Sequence, residues 1–243
     1  MDNYLQINSL CKLYNNVEAV QNISFQIKKN EIIGLLGPNG CGKTTTIGMI
    51  LGLLKPTSGN ILIDGKNIEK YRIEILKKIN FISPYIELPK KLTVKQNLNV
   101  YGKLYGIENI KNKIDYLCEK LRLNDIIYKL TGELSSGQKN RVSLAKAIIN
   151  DPILLLLDEP TASLDPETGE YVRSFIEDYQ KERGNSILLA SHNMKEVERL
   201  CSSVLMMKKG SIIDFGKPKN LILKHGRKNL EEVFLKLTRK NEF

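Results

Sequence analysis

The stretch Gly37-Pro38-Asn39-Gly40-Cys41-Gly42-Lys43-Thr44 fits the pattern G-x-x-x-x-G-K-[ST] and constrains the fold more than any other part of the chain. It follows an apolar run, Ile32 to Leu36, and precedes a helical run, Thr45 to Leu54. With Gly at 17 of 243 positions and average use of the other residues, chance produces the pattern in roughly one such chain in a hundred. The strand–loop–helix setting lowers that further. Glycines let the backbone curl until successive N–H groups point inward, where they can hold phosphate oxygens. A helix beginning near Lys43 adds the positive end of its dipole to that anion site. Lys43 is then placed for the β- and γ-phosphates, and the Thr44 hydroxyl for Mg²⁺. The predicted nucleotide contacts here are Gly37, Pro38, Asn39, Gly40, Cys41, Gly42, Lys43, Thr44 and Thr45.

Such a unit calls for further parallel strands, and the chain supplies candidates. Runs rich in Ile, Leu and Val occur at Ile32 to Leu36, Ile79 to Ser83, Ile153 to Leu157, Ser186 to Ala190 and Val204 to Met207. Near-continuous apolar composition suits strands buried on both faces. Leu5 to Ile27 reads as short alternating strands and Ile61 to Ile63 as another, together a small antiparallel layer. Between Leu92 and Asn124 the pattern turns helical, with Leu98, Tyr101, Leu104 and Tyr105 as its apolar residues. The tail from Asn229 to Lys240 carries Leu230, Val233, Phe234 and Leu237 at helical spacing, a stripe read as intramolecular packing. Hydrophobic residues make up 42% of the chain, enough for one large domain with a smaller subdomain. The expected fold is α/β: a P-loop NTPase core with a mostly parallel sheet, a small antiparallel β layer and a helical subdomain. The main domain is expected over residues 1–220, the helical subdomain over about 85–140, and a short helical tail over 221–243.

Ile153-Leu154-Leu155-Leu156-Leu157 runs directly into Asp158 and Glu159. An acid at the carboxyl end of a buried strand, opposite Thr44, is placed to hold Mg²⁺, a role that falls to Asp158. Glu159 follows and can polarise an attacking water as general base.

Leu134-Ser135-Ser136-Gly137-Gln138 resembles the LSGGQ signature of ATP-binding cassette (ABC) ATPases, with Ser136 in place of the first glycine. It opens a helical run, Lys139 to Ile149, whose apolar face is Val142, Ala145 and Ile148 or Ile149. Its position between the phosphate loop and the acid pair distinguishes it from an ordinary Ser-Gly-Gln turn. The remaining family elements follow in order. Pro160-Thr161-Ala162-Ser163-Leu164-Asp165 looks like the D-loop, which implies that Asp165 touches a dimer partner. Ser191-His192-Asn193 resembles the segment of the switch histidine that senses the γ-phosphate, and Tyr14 matches the aromatic that stacks on adenine, with Val20 packing nearby. The resemblance runs from about Tyr4 to Phe215, and most resembles the single-domain ATP-binding subunits of ABC-2-type exporters. It implies catalytic roles for Lys43, Glu159 and His192, and ATP sandwiched between one subunit's phosphate loop and Ser135, Gly137 and Gln138 of another. It also implies polytopic membrane permease subunits as partners. Cargo and direction leave no mark on these motifs.

The composition narrows the alternatives. No apolar run approaches the roughly 20 residues needed to span a bilayer, and Met1 to Leu10 lacks the basic and apolar blocks of a secretory signal. The expectation is a cytoplasmic protein, peripheral on the inner face of the membrane through its partners. Cys11, Cys41, Cys118 and Cys201 form no CxxC pair, which argues against zinc. The formal charge is +10, but the lysines are dispersed, without the basic blocks and interleaved aromatics of a nucleic-acid surface. Soluble ABC ATPases acting on ribosomes or DNA carry a second cassette, zinc modules or long coiled coils, and this chain has none of these. A non-hydrolysing regulatory subunit is at odds with intact Lys43, Asp158, Glu159 and His192.

One departure stands out. Family members carry a glutamine after the strand at Ile79 to Ser83, where it contacts Mg²⁺ and water and links to the membrane subunit; here Pro84 occupies that place. Proline offers only its carbonyl. The isolated subunit is therefore expected to hydrolyse ATP slowly, and Pro84→Gln to raise the basal rate without improving ATP affinity. Steady-state turnover and ATP binding at matched Mg²⁺ check this; a brisk wild-type rate, unchanged by the substitution, would refute it.

Overall fold

The computed structural model describes residues 3–84 and 86–239; Met1, Asp2, Tyr85 and residues 240–243 lie outside the described residues. Two sheets form the scaffold. The first is antiparallel and runs β2-β1-β4-β5, from β1 (Asn3–Tyr14), β2 (Val17–Lys28), β4 (Ser58–Ile63) and β5 (Lys66–Asn67). β1 and β2 join through Asn15 and Asn16, at φ 42° and 69°, the positive values that a tight hairpin turn requires. Each of these strands is 12 residues long, in place of the several short strands expected. The cause is irregular pairing. Ser9 and Asn22 take positive φ, and the register slips between Ile7 and Leu10 and again around Lys12. Bulges of this kind break the in–out alternation that a single strand displays in sequence.

The second sheet runs β10-β9-β3-β8-β7-β6. Its members are β3 (Ile32–Leu36), β6 (Ile79–Ile82), β7 (Leu154–Asp158), β8 (Ser186–Ser191), β9 (Ser203–Lys208) and β10 (Ser211–Gly216). All neighbours are parallel except β10, which turns back on β9. Alternate residues feed two separate cores. Leu36, Leu155, Leu157, Ile187 and Leu189 face one apolar cluster. Ile33, Leu35, Leu154, Leu156 and Leu188 face the other, shared with the antiparallel layer. Burial on both faces explains why these strands read as unbroken apolar runs.

The helices are α1 (Lys43–Ile50), α2 (Arg72–Leu76), α3 (Val94–Leu104), α4 (Ile110–Lys120), α5 (Ser136–Ala147), α6 (Pro166–Arg183), α7 (Met194–Leu200), α8 (Pro218–His225) and α9 (Leu230–Arg239). α3 starts at a capping box: Thr93 Oγ1 accepts from the Gln96 N–H, and the Gln96 side chain accepts from the Thr93 N–H. Its buried residues include Val94 and Leu98, but Leu104 is 72% exposed and does not belong to the apolar face. Six residues beyond Leu98 is roughly 240° further round the helix, away from the core. On α9, Leu230, Val233 and Phe234 are buried, so the tail stripe packs within the molecule.

α5 joins the helical segment to the sheet through an unusual residue. Lys146 is 9% exposed. Its Nζ donates to Asn80 Oδ1 at 3.2 Å and to the Phe81 carbonyl at 3.1 Å, and lies 4.4 Å from the centre of the Phe81 ring and 5.6 Å from that of Tyr101. Burial pushes its pKa down from 10.5 to about 8. An unfolded chain keeps the ordinary value, so between these two pH values the unfolded state binds more protons and stability from this group rises with pH. Compared with Lys146→Met, the wild type is expected to gain on the order of 2 kcal/mol as pH rises from about 8 towards 10.5. Urea unfolding of both proteins across that range is the measurement. A difference independent of pH would mean that the ammonium is not desolvated.

Candidate nucleotide site

The phosphate loop is pressed between β2 and β9, and that crowding accounts for Gly37 and Gly42, whereas Gly40 is set by its φ of 78°. A Cβ on Gly37 would lie 2.5 Å from both Cys41 Sγ and the Met207 carbonyl. One on Gly42, at φ 107°, would lie 2.5 Å from the Ala19 carbonyl. α1 begins directly after Gly42 and carries no acid in its own first turn, so its positive end faces the cleft. Lys43 is 6% exposed, its Nζ donating to the carbonyls of Gly37 at 2.6 Å and Pro38 at 3.2 Å. Asn39, Gly40, Gly42, Lys43, Thr44 and Thr45 line a cleft closed by Asp158 and Glu159. Ala19 also lines it, a contact that no motif signalled.

Opposite the loop, Thr44 Oγ1 donates to Asp158 Oδ2 at 3.2 Å. Asp158 is 1% exposed, and burial raises its pKa, opposed by hydrogen bonds from the Thr44 and Ser83 hydroxyls. A buried carboxylate beside a hydroxyl at the mouth of an anion-binding loop is a hard-oxygen donor set of the kind Mg²⁺ takes when it also binds phosphate. The residues fit that ion. Glu159 sits at φ 51°, a region that a non-glycine residue enters only under constraint, while its N–H extends the strand pairing to the Ala190 carbonyl at 2.8 Å. Its Oε1 stands 2.8 Å from His192 Nδ1 and 3.9 Å from Lys43 Nζ. That oxygen is buried and makes no well-directed hydrogen bond, so it meets His192 at close range without hydrogen-bond geometry.

The other expected contacts lie outside this cleft. Ser135 caps α5, accepting from the Gln138 N–H while the Gln138 side chain accepts from the Ser135 N–H. Asp165 caps α6, with Oδ1 accepting from the Thr168 N–H at 2.9 Å, and these bonds hold its pKa below the usual carboxylate range. A Cβ on Gly137 would lie 3.1 Å from Thr168 Cγ2, so Gly137 and Asp165 meet at the same threonine. Tyr14 is 41% exposed, with Lys12 Nζ 4.8 Å from its ring centre. Val20 is buried beneath the loop, beside Gly42. Pro84 is exposed, just after β6. Of its polar neighbours, Glu87 is paired with Lys90 at 2.6 Å and Gln96 is committed to the cap of α3, whereas the Ser83 hydroxyl reaches Asp158.

A family model described as ABC transporter matches residues 20–162. The chain belongs to that family. The ATP-binding protein NatA of an ABC transporter from Bacillus subtilis is 37% identical over 222 residues, covering 90% of each chain. A solved ATP-binding subunit of an ABC transporter superposes with a TM-score of 0.89 at 26% identity, covering 97% of this chain and 99% of that one. A bacterial ABC transporter cassette solved as a dimer superposes at 0.80 with 26% identity, covering 88% of this chain and 98% of that one.

In this cassette the segment from Leu134 to Gln138 opens α5 and does not line the phosphate cleft. Gly137→Asp is expected to leave ATP binding by the monomer intact and to abolish ATP-driven dimerisation, because a carboxylate would meet the partner's γ-phosphate. Gly137→Ala separates charge from crowding: the nearest atoms to its Cβ belong to Thr168, and it is expected to weaken association far less. Sedimentation with and without MgATP reads both. Equal association by Gly137→Asp and the wild type would make this segment an ordinary helix start.

Proposed function

We propose that this subunit hydrolyses MgATP between two cassettes arranged head to tail, and that their closure drives separate membrane-spanning partners. The observation that carries the reading is the meeting, at one sheet edge, of the phosphate loop, Asp158, Glu159 and His192, with Glu159 Oε1 2.8 Å from His192 Nδ1. Lys43 leaves the loop carbonyls for the β- and γ-phosphates, while the loop's N–H groups and the α1 dipole hold the remaining charge. Thr44 and Asp158 hold Mg²⁺, which neutralises charge on the phosphates when bound. Ser83, just after β6, helps hold down the pKa of Asp158. Glu159 orients the attacking water and accepts its proton, and His192 holds the Glu159 carboxylate in place. Tyr14 offers a half-exposed ring to the adenine.

Ser135, Gly137, Gln138 and Asp165 act in the opposite cassette's site. Their position outside their own phosphate cleft supports that division. Among the described residues no helix is long and apolar enough to cross a membrane, so the transport path belongs to polytopic permease subunits, and the cassette works at the inner face of the membrane.

Glu159→Gln tests the reading. It is expected to keep ATP affinity, to lower turnover about a hundredfold or more, and to accumulate an ATP-bound dimer on size-exclusion chromatography with MgATP. Turnover near the wild-type rate would remove Glu159 from the chemistry.

A further inference from the structure

Glu196, on α7, is 2% exposed. Its two oxygens are each held by a hydroxyl: Thr161 Oγ1 donates to Oε1 at 2.8 Å, and Ser191 Oγ donates to Oε2 at 2.8 Å. Those hydroxyls belong to different segments. Thr161 follows Glu159 by one intervening residue, in the turn that leads to Asp165, and Ser191 immediately precedes His192. The clasp is itself braced. Ser191 Oγ accepts from the Asn193 N–H at 3.0 Å, and Asn193 Oδ1 accepts from the Glu196 N–H at 3.2 Å, capping α7. Burial raises the pKa of Glu196; the two hydroxyl bonds and the charge of Arg173 oppose that rise, and the charge of Glu159 adds to it.

A carboxylate is a costly way to fill a buried position, since desolvation penalises the charge and neither direct partner is a cation. It can, however, accept two hydroxyls at once from two segments, which an apolar side chain cannot. Glu159 needs outside restraint. Its φ of 51° is held by the surrounding structure, and its contact with His192 lacks hydrogen-bond direction. We propose that Glu196 is a positioning residue for hydrolysis, clasping Thr161 and Ser191 so that Glu159 and His192 keep their mutual placement. Because Thr161 also lies in the turn that leads to Asp165, the same clasp ties the spacing of that pair to the segment expected to face the second cassette. This rests on the reading of Glu159 and His192 as hydrolytic residues.

The test is a set of variants assayed for kcat, KM and ATP binding in the full-length cassette. Glu196→Ala is expected to lower kcat on the order of tenfold to a hundredfold, the scale of a small misplacement, with ATP affinity within twofold of wild type. Glu196→Gln, which keeps one acceptor and gains a donor that either hydroxyl can meet, is expected to recover most of the lost turnover. Where Glu196→Ala folds poorly, Thr161→Val and Ser191→Ala remove one arm each and are expected to give intermediate losses. The decisive readout is a double-mutant cycle with His192→Ala: a residue acting through the Glu159–His192 pair costs little more once His192 is gone, whereas general structural support multiplies with it. Full multiplicity, a parallel loss of ATP affinity, or turnover of Glu196→Ala within twofold of wild type overturns the proposal. Failure of the underlying reading shows differently, as normal turnover by Glu159→Gln.

Discussion

Parallel pairing across the central sheet sets the spacing of everything at the nucleotide site. β3 pairs with β8 up to Leu36 opposite Ser191, β8 with β7 up to Ala190 opposite Asp158, and β7 with β6 up to Leu157 opposite Ile82. Parallel strands deliver their carboxyl ends to one edge, and their hydrogen-bonded spacing of roughly 5 Å places successive strand ends within side-chain reach. Gly37, Ser83, Glu159 and His192 are the residues at or just beyond those ends. Register is strongly specified here, because a slip of one residue would turn every Leu and Ile of a strand towards the wrong core. The apolar clusters on the two faces therefore hold the edge that carries the phosphate loop as well as the fold.

Several charged groups are buried along this edge with neutral oxygens as their close partners. Lys43 is held by two loop carbonyls, with the Glu159 carboxylate 3.9 Å away, Asp158 by the Thr44 hydroxyl, Glu196 by two hydroxyls, and Lys146 by an amide and a carbonyl oxygen. Such groups stabilise a fold less than apolar residues of the same size would, because desolvation offsets much of what the hydrogen bonds contribute. Lys43 and Asp158 face the phosphate cleft directly. Glu196 lies behind it, and Lys146 joins α5 to β6, the strand that ends at Ser83.

At Pro84, where the family resemblance leads one to expect a glutamine, the frame of the sheet is intact. β6 still ends beside β7, and Ser83 still reaches the Asp158 carboxylate. Proline has no N–H to give and a fixed φ, so residue 84 can offer only its carbonyl. Glu87 and Gln96 are near in sequence but engaged locally, one with Lys90 and the other with the amide of Thr93.

Much of the architecture was legible in the chain because its signals are local. Strands buried on both faces need no alternation to be recognised, and β3, β7, β8 and β9 lie within a residue of their apolar runs. The phosphate loop is a contiguous pattern whose backbone geometry is set by its own glycines, and Asp158 and Glu159 are marked by the strand that delivers them. Irregular backbone was not legible: β1 and β2 are longer than their alternation indicates, because Ser9 and Asn22 interrupt it. Contacts between segments were not legible either. Thr44 and Asp158 are 114 positions apart, and Thr161 and Glu196 are 35 apart. No short-range pattern states that Ser83 meets Asp158, that Ala19 walls the phosphate cleft, or that one carboxylate holds Thr161 and Ser191 together. The sequence by itself determined which residue types are available and which local conformations they adopt. Tertiary structure decided which of them meet, because that distance is set by interstrand register and helix packing, to which residues from the whole length of the chain contribute.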